Sequence, residues 1–166
     1  MEYKEMNMEA TAEEAMQRAI KESEYNLSNN YQKGGPFGAV ILKDGKIISI
    51  AHNTVIESKD ATAHAEVNAI RLASKNLNTH DLTGCKLYVN AEPCPMCLSA
   101  IIWSNIKEVY FANTKKDAED IGFRDDMIYR YLENRDDDVI KVNHIESEEA
   151  KKIFEDFKNN KNKQLY

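Results

Sequence analysis

An Asp44-Gly45 pair set between two β-rich runs is the strongest constraint this sequence places on its own fold. Both central positions of a two-residue type I′ turn need positive φ, which this dipeptide tolerates. The flanking runs, Ala39-Val40-Ile41-Leu42 and Ile47-Ile48-Ser49-Ile50, therefore read as an antiparallel hairpin. Upstream, Thr11 and Glu14 form a capping-box pair, and Met16, Ala19, Ile20, Ser23 and Leu27 share one helical stripe. A first helix over about 11–29 is expected, broken by Gly34-Gly35-Pro36, with residues 1–10 a loose leader.

Past the hairpin, strand and helix patterns alternate. A polar loop from Asn53 to about Thr62 leads to a helix opened by His64, with Glu66, Ala69, Ile70, Ala73 and Leu77 on one face. Lys86-Leu87-Tyr88-Val89 reads as a third strand, Pro93 precedes a third helix, and Glu108-Val109-Tyr110-Phe111 gives a fourth strand. Beyond lie helical pieces around 117–133, a fifth strand at about 139–143 and a helix over about 147–158. This alternation predicts an α/β sandwich, and 166 residues fit a single domain, 1–166, with no repeat or linker.

Composition narrows the class. With 42% apolar and 30% charged residues the chain reads as globular, and no run suits a signal peptide or membrane span, so the cytoplasm is the expected location. A formal net charge of −6 argues against a nucleic-acid partner gripped by phosphate neutralisation. Three cysteines cannot all pair within one chain, and two of them are close together. In a reducing compartment such spacing reads as metal or redox chemistry.

Two motifs carry that chemistry: His64-Ala65-Glu66 and Pro93-Cys94-Pro95-Met96-Cys97. Cys94 and Cys97 lie three apart at a helix start, where unpaired N–H groups and partial positive charge favour thiolates. His64 supplies a third donor, and catalytic zinc takes three protein ligands and keeps one position open. Glu66 then stands beside the open position as a proton carrier rather than a ligand. The pair of motifs, in this order, matches the signature of zinc-dependent deaminases. The competing assignment is a structural zinc site completed by Cys85. A thioredoxin-like redox role leaves His64 and Glu66 without work.

The chain resembles the cytidine-deaminase-like superfamily and, within it, the small bacterial guanine deaminases. The likeness rests on Gly34-Gly35-Pro36-Phe37-Gly38-Ala39-Val40, Thr62-Ala63-His64-Ala65-Glu66-Val67 and Glu92-Pro93-Cys94-Pro95-Met96-Cys97-Leu98. Gly122-Phe123 with Asp125, and the terminal Tyr166, point to the guanine branch. The resemblance implies a three-layer α/β/α fold with a five-stranded mixed sheet, a Zn2+ cofactor and a purine-base substrate. It also implies a homodimer that exchanges its C-terminal segments, about 147–166. The implied activity is zinc-dependent hydrolysis of guanine to xanthine and ammonia. Catalytic roles fall to Glu66 and Asp125; substrate contacts fall to Asn53, Phe37, Ala65, Trp103, Asp125 and the partner's Tyr166.

Read without the resemblance, four of these residues have other assignments. Trp103 suits a helix core, Asp125 a helix cap, Asn53 a turn, and Tyr166 an untethered end. Ala61 stands where many relatives carry proline, and Arg124 where an acidic residue often precedes the aspartate. Rival functions are a tRNA adenosine deaminase, a deaminase of another base or nucleoside, and a binding module with structural zinc.

Overall fold

A computed structural model describes residues 5–166, and the chain divides after Asp125 into two compact units rather than one. The first unit is built on the hairpin. Strands β1 (Gly38–Lys43) and β2 (Lys46–His52) pair antiparallel around Asp44 and Gly45, whose φ values of 50° and 73° are those the turn needs. Strand β3 (Cys85–Ala91) adds antiparallel to β1, and β4 (Glu108–Asn113) adds parallel to β3, giving the order β2-β1-β3-β4.

This mixed sheet is covered on both faces, which is why β1 is apolar without alternation. Val40, Leu42, Ile47, Ile50 and Tyr88 pack against Ala15 and Ala19 of α1 (Ala12–Ser23). On the other face Ala39, Ile41, Ile48, Leu87 and Val89 pack with Ala65, Ala69 and Ala73 of α3 (Ala65–Leu77) and Ile101 of α4 (Pro95–Trp103). A short α2 (Val55–Ser58) lies in the loop after β2, and α5 (Lys115–Asp120) follows β4. The Thr11–Glu14 capping box is formed, but α1 ends at Ser23 and a 3-10 segment, Glu24–Asn29, completes the predicted helix.

The second unit holds α6 (Asp126–Asn134) and α7 (Glu148–Asn159). Neither helix buries a residue; Ile153 and Phe154 of α7 are 66% and 80% exposed.

Two expectations are corrected here. The sheet has four strands, because residues 139–143 are irregular: an alternating side-chain pattern becomes a strand only when a neighbour completes its hydrogen-bond ladder. The leader is not loose over 5–10. Asn7 and Ala10 donate to the carbonyls of Ile47 and Gly45, Ile47 N donates to the Met8 carbonyl, and Glu5 pairs with Arg18 at 2.9 Å. Its first four residues lie outside the described ones. Among the described residues no helix is long and apolar enough to cross a membrane.

Arg18 also bonds Glu22 at 2.7 Å, and His52 Nδ1 donates to the other Glu22 oxygen at 2.6 Å while its ring stacks on Tyr25. Burial pushes the Glu22 carboxyl up, but the bonds from His52 and Arg18 outweigh it and hold the pKa below its usual value. A depressed carboxylate stabilises the fold above its unfolded pKa, and that contribution fades as pH falls through the folded value. Glu22→Gln is expected to lose about 1–3 kcal/mol at pH 7. The deficit should shrink well below about pH 4, as urea unfolding at the two pH values will show.

Candidate active site

The site forms where two helices begin side by side. His64 is the N-cap of α3 and Cys94 the N-cap of α4, and neither makes a side-chain capping bond. Both side chains are therefore available to something other than their own helix. Pro95 occupies the first turn of α4, where its missing N–H costs nothing. One helical turn on, Cys97 faces the same point.

Candidate ligand atoms of His64, Cys94 and Cys97 all lie within 4.8 Å of one another. Zinc bonds of about 2.3 Å to sulfur and about 2.0–2.1 Å to nitrogen separate tetrahedral ligand atoms by about 3.6 Å. His64 Nδ1 lies 3.6 Å from Cys94 Sγ and 3.5 Å from Cys97 Sγ. The donor set fits zinc in both chemistry and spacing. Cys85 is not part of it. It sits in the core at the far end of β3, about 20 Å of strand away, so it cannot complete a closed structural site.

Electrostatics agree with a metal-ready site. A hydrogen bond from the Cys97 thiol, aided by His64 against the cost of burial, pulls Cys94 down to about 4. The same bond pushes Cys97 up, with burial adding to it, and the contact with Cys94 raises His64 against its own burial. Glu66, in the first turn of α3, is 6% exposed, and burial lifts its carboxyl above the usual value.

These residues open onto a cavity of about 600 Å³. Its lining includes His64, Glu66 and Cys94 together with Asn53, Phe37, Glu92 and Asp125. Phe37 meets Phe123 edge to face, with ring centroids 4.8 Å apart. Phe123 arrives there through a helix stop: Gly122 N donates to Glu119 O at 2.9 Å and Phe123 N to Ala118 O at 3.0 Å, which is the Schellman pattern. Its left-handed position is Gly122, φ 103°, so the Gly122-Phe123 pair has a geometric cause. Asp125 follows two residues later.

Asn53 is held with one end forward. Its Oδ1 accepts from Gly35 N at 3.3 Å and Val55 N at 3.1 Å, so Nδ2 is the end of the amide available to a ligand. Asn68 of α3 donates to the His52 carbonyl and to Thr54 Oγ1, both at 3.0 Å, tying down the residues on either side.

A family model described as the cytidine and deoxycytidylate deaminase zinc-binding region matches residues 9–113. The chain belongs to this family. It is similar to a guanine deaminase of Bacillus subtilis, 45% identical over 80% of this chain and 86% of that one. A solved structure of guanine deaminase from the same organism superposes with a TM-score of 0.88 at 40% identity, covering 95% of this chain and 99% of the other. A tRNA-specific adenosine deaminase of Aquifex aeolicus is 53% identical, over 52% of this chain and 58% of its own.

In this deaminase the cavity gathers His64, Glu66, Cys94, Asn53, Phe37 and Asp125. Three predicted contacts are not among the residues that line this cavity. Trp103 is 67% exposed and borders a separate open recess beside α3. At 100° per residue it sits about 120° around α4 from Cys97, whereas Ile101 shares the Cys97 face. Ala65 is wholly buried in the core. Tyr166 belongs to the second unit and is 85% exposed. Sequence reasoning gave no role to Glu92, Val55 or Ile121, whose only signal is proximity to motif residues.

Purified protein is expected to carry about one zinc per chain. Cys97→Ala should reduce this severalfold and Glu66→Gln should leave it unchanged, as elemental analysis of the folded variants will show.

Proposed function

We propose that this deaminase converts guanine and water to xanthine and ammonia. The observation that carries the reading is the wall beyond the shared metal core. Phe123 and Asp125 line the cavity from the segment after β4, and likeness to the guanine deaminase structure runs through 95% of the chain. Likeness to the tRNA deaminase covers about half.

His64, Cys94 and Cys97 would hold the zinc, which when bound would supply a Lewis acid able to make water a nucleophile at neutral pH. Glu66 takes a proton from the attacking water and delivers it to purine N3 as the C2–O bond forms. The raised pKa of this buried carboxyl suits both directions of transfer. Glu66 then takes the remaining proton from the new C2 hydroxyl and hands it to the departing amine as the C2–N bond breaks and the C2 carbonyl forms. Asp125 accepts a hydrogen bond from the exocyclic amino group. Asn53 donates from Nδ2 to an acceptor on the far edge of the base. Phe37 covers a ring face, and Ala65 supports the Glu66 turn from below.

The same reading includes a homodimer in which the C-terminal segment crosses to the partner. The partner's Tyr166 then closes the pocket, and Trp103 joins a pocket wall in the assembled pair. Bare apolar side chains support it: Ile153, Phe154 and Phe157 on α7, and Tyr110 and Phe111 on the β4 edge, are 41–80% exposed. The protein is assigned to the cytoplasm, where its unpaired thiols stay reduced.

Zinc-loaded protein is expected to form xanthine from guanine, and Glu66→Gln to lose activity by about 10²–10⁴. No xanthine from the zinc-loaded enzyme would refute the substrate. A gel shift with tRNA at low salt would favour the tRNA reading instead. Subunit exchange tests the dimer: mixing inactive Glu66→Ala with impaired Tyr166→Ala should restore activity, because one pocket of each hybrid then has both side chains. Mixtures no better than their components would place Tyr166 on its own subunit.

A further inference from the structure

We infer that Asn26 is a positioning residue for substrate recognition, acting through Asn53; this rests on the assignment of Asn53 as a base contact. Asn26 lies in the 3-10 segment after α1, is 1% exposed and does not border the cavity. Both hydrogens of its Nδ2 are used on residues that line the cavity. One goes to the Gly35 carbonyl at 3.0 Å and the other to the Asn53 carbonyl at 2.9 Å.

These two carbonyls belong to the two loops that meet behind the base site. Clamping them together brings Gly35 N within 3.3 Å of Asn53 Oδ1, and that contact helps turn the Asn53 amide so that Nδ2 faces forward. The loops approach so closely that a Cβ on Gly34 would lie 2.5 Å from the Asn53 carbonyl oxygen and 2.6 Å from Oδ1. Only a bare backbone fits there. The clamp is therefore a spacing device, and α1, through the segment that follows it, sets the spacing.

The other end of Asn26 shows that packing alone does not explain this side chain. Among the described residues no donor reaches its Oδ1, which is buried. Rotating the amide would satisfy nothing, because it would set that oxygen against two carbonyls. A leucine of similar size would avoid the orphaned acceptor but would give up both bonds to the loops.

The test is a double-mutant cycle between Asn26 and Asn53 in the zinc-loaded enzyme, with Asn26→Leu, Asn26→Ser and Asn53→Ala. Asn26→Leu is expected to raise KM for guanine about tenfold with kcat changed much less, as loss of a positioned hydrogen bond predicts. Asn26→Ser, which keeps one donor and is the fallback if the leucine variant fails to fold, should fall between. On the Asn53→Ala background both effects should vanish. A KM rise that persists undiminished there, or no rise in either variant, would overturn the inference.

A second readout does not need turnover. In spectra of protein labelled with 15N-asparagine, the Asn53 side-chain amide, assigned through Asn53→Ala, should shift when Asn26 is replaced. An unmoved Asn53 resonance would also overturn the inference. If Asn53→Ala leaves KM unchanged, it is the base-contact assignment that fails. If guanine is not turned over, the proposed substrate fails and the spectrum alone decides the role of Asn26.

Discussion

Everything in the site follows from two helices being made to start at the same place. A helix N-terminus leaves backbone N–H groups unpaired and carries partial positive charge. Most chains satisfy that end with a capping side chain, as Thr11 does for α1. At α3 and α4 the cap positions hold His64 and Cys94, which make no capping bond. The charge instead favours a thiolate, and Cys94 is held at about 4, with the bond from Cys97 the largest cause. Adjacent packing of α3 and α4 on one sheet face brings three soft donors within 4.8 Å. The core beneath is what allows this closeness: Ala65, Ala69 and Ala73 give α3 a flat face.

The loops that line the rest of the cavity have no such regular support and are held by asparagines. Asn26 ties Gly35 to Asn53, Asn68 ties His52 to Thr54, and Asn90 accepts from Gly38 N while donating to the Pro36 carbonyl. Loops lack the internal ladder that satisfies backbone groups in strands and helices. A carboxamide offers donors and an acceptor on one short arm, so a few of them can satisfy what a ladder would. This part of the cavity lining is thus polar in construction. Phe37 and Phe123 supply its apolar part.

Much of this was legible because it is local. The hairpin, the capping box and the Cys94-Cys97 pair depend on spacing within a few residues, and each is found where the pattern puts it; His64, 30 residues before Cys94, joins the pair through the packing of α3 beside α4. What the sequence hid depends on distant partners. Residues 139–143 carry a strand pattern yet form none, since a pattern cannot say whether a neighbour exists. Residues 5–10 carry no pattern yet clamp the hairpin through backbone bonds, to which side-chain identity is nearly irrelevant. Trp103 has a pocket role only by resemblance, and within one chain the helical phase set by Cys97 turns it away from the triad. Asn26 left no signal, because an amide in a polar segment looks the same whether it faces water or two carbonyls.

The division between shared and particular features falls at a definite point in the chain. The family match ends at residue 113, at the end of β4, and by then the donor triad, Glu66 and Asn53 are all in place. Those residues lie within the zinc-binding region that the family shares. Past that point the turn after α5 adds Phe123 and Asp125 to the lining of the same cavity. Its Schellman stop needs a residue that accepts φ 103°, which Gly122 provides, and the reversal it produces seats Phe123 against Phe37 and delivers Asp125 to the cavity. A relative that lacked this turn would keep the donor triad and lose Asp125 from the cavity lining. Under the proposed function, discrimination among bases therefore falls to a backbone reversal outside the shared core rather than to the metal ligands.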